Sequence, residues 1–253
     1  EEVSPLSGPI EFARTPGPDS TSSSFHEGRG GEGAFQARSK GNPPPLAVIG
    51  ERAPDFNVPA YRDGVIFSVH LSRFLGSWVV LCFYPGDFTF VCPTELTDLA
   101  VNYDLFRSLD AEVIAISVDS AFVHKAWEEH ELRKMAPEGR VPFLMASDLH
   151  RDVGRAYGAL DEKTGVHFRA TYLVDPDGIL QAAEILAPSV GRNVREILRR
   201  LAAFRHVRET GGAEACPSGW IPGKTTLPLL PALVGKISTA WHPESPLVWP
   251  PQP

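Results

Sequence analysis

Little in this chain could build a covalent scaffold. Its 253 residues hold three cysteines and no C-x-x-C pair, too few to staple a fold of this length and wrongly spaced for a structural zinc site. Positive charge is also short. With 24 Lys and Arg against 31 Asp and Glu, the formal charge of -7 argues against nucleic acid as a partner. Long apolar runs are missing too, and Trp78–Tyr84 falls far below the roughly 18 residues that suggest a membrane-spanning helix. Its β-branched and aromatic content reads instead as a buried strand. With 43% apolar residues, the chain has the composition of a soluble globular protein of one or two domains, with no membrane partner expected.

Residues 1–45 offer no hydrophobic periodicity on which a core could form. They are rich in Pro, Gly and Ser (PGPDSTSSS, GRGGEG, NPPP) and are expected to be disordered. No apolar secretory core stands among them, and the acids Glu1, Glu2, Glu11, Asp19, Glu27 and Glu32 argue against a transit peptide, so a cytoplasmic location is expected. From Leu46 the pattern changes. Strands are expected over Val65–Val69, Trp78–Tyr84, Glu112–Asp119 and Val141–Ala146, with helices over Cys92–Phe106, Phe122–Leu132 and Asp148–Tyr157. Val166–Asp175 and Gly178–Leu186 read as a hairpin through Asp175-Pro176-Asp177-Gly178. A last helix, Arg192–Arg208, carries Val194, Ile197, Leu198, Leu201 and Phe204 at helical spacing and so packs one face on a sheet. Strands interleaved with helices predict an α/β sandwich over residues 46–207, followed by an arm over 208–253.

Cys92 is the residue whose setting carries chemistry. In FYPGDFTFVCPTEL an apolar strand ends at Pro85 and Gly86, a polar turn carries Thr89, and Cys92 opens a helix. Unpaired N–H groups and the positive end of the helix dipole favour a thiolate there, which makes the sulfur a nucleophile. Cys82, inside the strand, reads as a buried core filler. Cys216 lies in the Gly- and Pro-rich stretch GGAEACPSGWIPG, where a core role is improbable and the residue is either incidental or functional.

Pro85, Thr89 and Cys92 stand in the Pro-x-x-x-Thr-x-x-Cys spacing, followed by Pro93, Thr94 and Glu95. With that motif the chain resembles the peroxiredoxins, and within them the typical two-cysteine, alkyl hydroperoxide reductase C type of the AhpC/TSA family, from about Leu46 to about Ile237. The resemblance implies a thioredoxin-like fold of the peroxiredoxin variety with a C-terminal arm. It also implies a thiol-dependent peroxidase that reduces hydrogen peroxide and organic hydroperoxides.

Site roles follow from the same resemblance. Cys92 is the implied peroxidatic residue, and Cys216, which keeps the spacing to Pro217 and Trp220, the implied resolving one. Arg169, in FRATYLVD, matches the catalytic arginine, although an arginine entering a strand also fits a solvated edge charge. A guanidinium suits the anion that develops as an O–O bond breaks, and Thr89 can bring its hydroxyl toward the sulfur. Pro85 is expected to shield the sulfur, and Glu95 and Arg192 to form a supporting network. A cation at the start of the last helix opposes its dipole, so Arg192 should have a specific partner. His124 and Trp127, in VHKAW, read as packing and surface residues.

No bound cofactor or metal is implied. Electrons would come from an external dithiol, either a disulfide reductase or a thioredoxin-like donor. The family further implies a homodimer with intersubunit disulfides, assembled into rings, typically decamers. The Gly-Gly-Leu-Gly insertion and the Tyr-Phe helix of easily over-oxidised members have no counterpart in this sequence, where MAPEGRVPF and HPESPLVWPPQP stand, so resistance to sulfinic acid formation is expected. Two other roles on the same fold are a redox relay, against which the missing C-x-x-C weighs, and an oxidation-activated holdase chaperone.

Overall fold

The computed structural model describes residues 46–243, so the tail expected over 1–45 and the residues after Pro243, Trp249 among them, lie outside the described residues. In chain order the elements are β1 (Asn57–Arg62), β2 (Val65–His70), β3 (Trp78–Phe83), α1 (Cys92–Val101), α2 (Tyr103–Ser108), β4 (Ala111–Ser117), α3 (Ala121–His130), β5 (Leu144–Ser147), α4 (Asp152–Tyr157), β6 (Leu160–Asp161), β7 (Val166–His167), β8 (Arg169–Val174), β9 (Leu180–Leu186), α5 (Val194–Glu209), β10 (Glu214–Ala215) and β11 (Leu227–Pro228). Seven strands make one mixed sheet in the order β2-β1-β5-β4-β3-β8-β9. β3 runs parallel to β4 and antiparallel to β8.

β3 is central, which explains its unbroken apolar sequence. Trp78, Val80 and Cys82 face one core with Leu96, Trp127, Val194 and Leu201 from the helices, while Val79, Leu81 and Phe83 face a second core with Val153 and Tyr157 of α4. Each large apolar side chain fully buried in such a layer contributes about 1.5–3 kcal/mol. Because side chains alternate, Arg169, Thr171 and Leu173 of β8 stand on the face that also carries Cys82, and that face meets α1 and α5.

Three expected elements are broken, each by a polar group. Asn102 ends α1 early, because its side-chain amide donates to the Asp98 carbonyl at 2.8 Å and to the Asp98 carboxylate at 2.9 Å. The helix expected from Asp148 starts at Asp152 instead. Asp148 caps it from outside, accepting from the N–H groups of Val153 at 3.2 Å and Gly154 at 2.7 Å. The long strand expected from Val166 divides at Phe168, whose N–H turns to the Ala159 carbonyl at 2.8 Å, so that β7 pairs with β6 and β8 with β3. The Asp-Pro-Asp-Gly hairpin forms as expected, with Gly178 at φ 81° and the Asp175 carboxylate accepting from the N–H groups of Asp177 and Ile179, each at 2.9 Å.

Candidate active site

Cys92 is the first residue of α1 and is fully buried. β3 delivers it there. The Tyr84 N–H closes a last bond to the Ile116 carbonyl at 2.9 Å, and Pro85, which has no N–H to donate, ends the ladder. The loop is then pinned at Asp87. Its carboxylate accepts from the Tyr84 hydroxyl at 2.7 Å and meets His124 Nδ1 at 2.7 Å, while its N–H donates to Asp119 at 2.9 Å. Burial pushes the Asp87 carboxyl upward, against the pull of His124. Phe88 follows in left-handed backbone, φ 51°, with its ring near those of Trp127 and His130.

Thr89 is half-buried, and its hydroxyl donates to the Gly86 carbonyl at 3.0 Å, which leaves the oxygen lone pairs as acceptors. Pro85 is half-buried beside it. Pro93 occupies the first turn of α1, where its missing N–H leaves no helical bond unmade. His124 and Trp127 are not surface residues: both are fully buried, and each is satisfied inside the fold. His124 Nε2 faces the Ala146 carbonyl at 3.3 Å, and Trp127 Nε1 donates to Glu131 at 2.6 Å.

Behind the sulfur lies a buried ionic cluster. Arg169, at the start of β8, places Nη1 3.3 Å from Cys92 Sγ and 2.5 Å from Glu95 Oε2, and its Nε donates to the Pro188 carbonyl at 2.8 Å. Its Nη2 makes no hydrogen bond among the described residues, so two N–H groups are left over. Glu95 binds Arg192 as well. Oε1 accepts from the Arg192 backbone N–H at 2.8 Å and from Nε at 2.9 Å, and Oε2 from Nη2 at 3.0 Å. Arg192 Nη1 completes the set on the carbonyls of Phe83 and Ala170, a cross-strand pair of β3 and β8, at 3.0 and 3.2 Å. This is the specific partner that a cation before α5 requires, since the helix itself starts at Val194 behind an Asn193 cap.

The charges of this cluster do not balance by themselves. Two guanidiniums and one carboxylate, none with more than 4% of its side chain exposed, leave one positive charge, and Cys92 as a thiolate would balance it. Burial works against the Arg192 charge, but the ion pair and hydrogen bonds with Glu95 more than offset it. Cys82 itself remains a thiol. Burial pushes it up to about 11, in keeping with a core role on the sheet face below the cluster.

Cys216 is placed elsewhere. All three cysteines are free, and Cys216 is half-buried against α5, with Sγ 3.7 Å from the Ala203 carbonyl. Within one chain the structure therefore joins Cys92, Glu95, Arg169 and Arg192 and leaves Cys216 apart. Sequence reasoning missed the Asp87–His124 anchor, the Pro188 carbonyl and Gly191, where an added Cβ would lie 3.3 Å from Val91 Cγ1. A buried-looking His opposite a loop Asp was the available signal for the first.

A thioredoxin-like sheet that sets a buried cysteine at a helix start beside guanidiniums defines a thiol-based redox protein. Comparison with known proteins gives the family. The AhpC/TSA family profile matches residues 49–183, and that of the C-terminal domain of 1-Cys peroxiredoxin matches residues 203–229. The chain is 52% identical to the selenocysteine-containing peroxiredoxin PrxU of Peptoclostridium acidaminophilum, over 78% of this chain and 96% of that protein. It is 38% identical to alkyl hydroperoxide reductase C of Bacillus subtilis, over 76% of this chain and 100% of that one. Among solved structures, the reduced 2-Cys peroxiredoxin of Plasmodium vivax superposes with a TM-score of 0.66 at 36% identity, covering 70% of this chain and 91% of that one. The chain belongs to the AhpC/TSA family of peroxiredoxins and is a thiol-dependent peroxidase, with a peroxide as substrate and a thiol as reductant.

Proposed function

We propose that Cys92 is the peroxidatic residue and Cys216 the resolving one, and that the enzyme reduces hydrogen peroxide and organic hydroperoxides. The supporting observation is the Arg169 Nη1 contact at 3.3 Å from Cys92 Sγ, held in place by Glu95. The thiolate attacks one peroxide oxygen, forming an S–O bond while the O–O bond breaks; the departing oxygen leaves with the electron pair and takes up a proton as water or alcohol. The free N–H groups of Arg169 Nη2 stabilise that oxygen as charge grows on it, and Thr89 accepts from the peroxide O–H to orient it. The Cys92 sulfenic acid then condenses with the Cys216 thiol, releasing water. An external dithiol, supplied by a disulfide reductase or a thioredoxin-like donor, reduces the disulfide without a bound cofactor.

The condensation joins two subunits of a homodimer, which assembles into a ring, and the protein works in the cytoplasm. Within one chain Cys92 is gathered with Arg169 and Glu95, while Cys216 rests apart on α5, which supports the partner's sulfenic acid as the acceptor. One equivalent of peroxide, followed by non-reducing electrophoresis, tests the assignment. A covalent dimer is expected from the wild type and from neither Cys92→Ser nor Cys216→Ser. Dithiol-supported peroxide consumption that survives Cys92→Ser would overturn it.

A further inference from the structure

We propose that Arg199, His206 and Glu214 are positioning residues for disulfide formation: with Trp220 they latch the arm to the outer face of α5 and hold the Cys216 thiol until the latch opens. The proposal rests on the resolving role assigned to Cys216.

The helix presents two opposite faces. Val194, Ile197 and Leu201 are buried on the sheet side. Arg199, Ala203 and His206 follow one another at helical spacing on the other side, and all three meet the arm. Arg199 Nη1 donates to the Trp220 carbonyl at 2.9 Å, while two bonds to Glu196, at 2.6 and 2.8 Å, hold the guanidinium in place. Ala203 supplies the carbonyl that meets Cys216 Sγ. His206 contributes twice: its ring lies 5.3 Å from that of Trp220, and its Nε2 is 2.8 Å from Glu214 Oε2. Glu214 also accepts from the Thr226 hydroxyl at 2.5 Å, closing the arm on itself across the short β10–β11 pair.

What holds the arm is therefore narrow. Among the described residues after α5, Trp220 is the only buried apolar side chain. Its Nε1 donates to the Lys224 carbonyl at 2.9 Å, which rounds the loop beneath it. The polar contacts are partly open, with 30% of the His206 and 37% of the Glu214 side chain exposed, and pairs of that kind are individually weak. A groove of about 840 Å³ runs past Cys216 between β9, α5 and the arm, so the thiol is parked rather than packed. A segment held by one aromatic anchor and a few exposed polar bonds is well suited to local opening without loss of the fold.

Rapid mixing with peroxide tests the latch, because oxidation of Cys92 and formation of the disulfide can be followed as separate steps in intact protein. In His206→Ala and Glu214→Ala the first rate should stay at the wild-type value, while the second rises roughly two- to five-fold, as loss of one partly exposed polar contact allows. Trp220→Phe, which keeps a ring but loses the Nε1 bond, should act in the same direction. Alkylation of Cys216 in a Cys92→Ser background should speed up by a similar factor. Resolution that is unchanged or slower, or an equal change in both steps, would overturn the latch. Disulfide formation that persists in Cys216→Ser would instead overturn the resolving role, so the two failures are distinguishable.

Discussion

The surroundings of Cys92 and Cys216 differ in nearly every physical respect. Cys92 sits at the junction of a central strand and a helix, against charged side chains with at most 4% exposure, and each of those has several partners from different elements. Cys216 rests on one helix face through a single aromatic anchor and partly exposed polar groups. The roles proposed for the two cysteines explain the asymmetry. A thiol that must be met by a small substrate in one geometry gains from preorganised charge. A thiol that must travel to a second sulfur gains from weak attachment.

Removing charge from the fixed site should have the largest effect. Glu95→Ala leaves two buried guanidiniums without their shared carboxylate, and breaking a buried pair of this kind costs about 3–5 kcal/mol. Denaturant unfolding should show that loss together with a collapse of peroxidase activity. The matching substitution on the arm, Glu214→Ala, should leave the unfolding midpoint in place. Similar midpoints for the two variants would erase the contrast between the regions.

Arg169→Lys is the next largest. An ammonium cannot serve Pro188, Glu95 and the sulfur together with the departing oxygen that the proposed mechanism assigns to this guanidinium, so kcat/KM for hydrogen peroxide should fall about 100-fold. Stopped-flow oxidation of Cys92 measures this step directly. A loss below about five-fold would show that charge alone suffices at that position and that the planar fork is dispensable.

A smaller effect tests how tightly the wall around the fixed site is specified. Thr171, directly across from Cys82 and two residues beyond Arg169, buries a hydroxyl that has no hydrogen-bond partner among the described residues. Thr171→Val removes the unmet polar group at nearly constant volume and should stabilise the fold by about 1 kcal/mol. Peroxidase activity should stay at the wild-type level. A destabilised variant would mean that the hydroxyl is satisfied in solution.

Local signals carried most of the sequence reading. The continuous apolar run of β3, the Asp-Pro-Asp-Gly hairpin and the residues from Pro85 to Glu95 each lie within one short window, and each forms where expected. What was illegible depends on distance. β1 hides because Pro59 and polar end residues disguise it. The proline is tolerated because, within β1, the pairing with β5 involves Ala60 and Tyr61, beyond the missing N–H. Asp87 and His124 stand 37 positions apart, and only the packed sheet brings them together. Glu95 and Arg192 are further apart still, so periodicity could not reveal that one carboxylate serves two guanidiniums. The break at Asn102 was the exception: it is local, but apolar spacing that runs on past it masked a side chain competing for a backbone carbonyl.

The smallest effect concerns protons on the arm. Burial pushes the docked Cys216 thiol upward, with Glu214 adding to the shift and Arg199 opposing it. A group whose pKa is higher docked than released favours docking fully below its released pKa, and that preference fades as pH rises through the docked one. The window therefore opens at the ordinary thiol value of about 8.5 and extends alkaline of it. In Cys92→Ser, the pH profile for alkylation of Cys216 should have its midpoint above that of a free cysteine peptide. His206→Ala should move it back toward the peptide by loosening the arm. A wild-type midpoint at or below the peptide would mean that the parked thiol is not desolvated, and the contrast between the two cysteines would then rest on geometry alone.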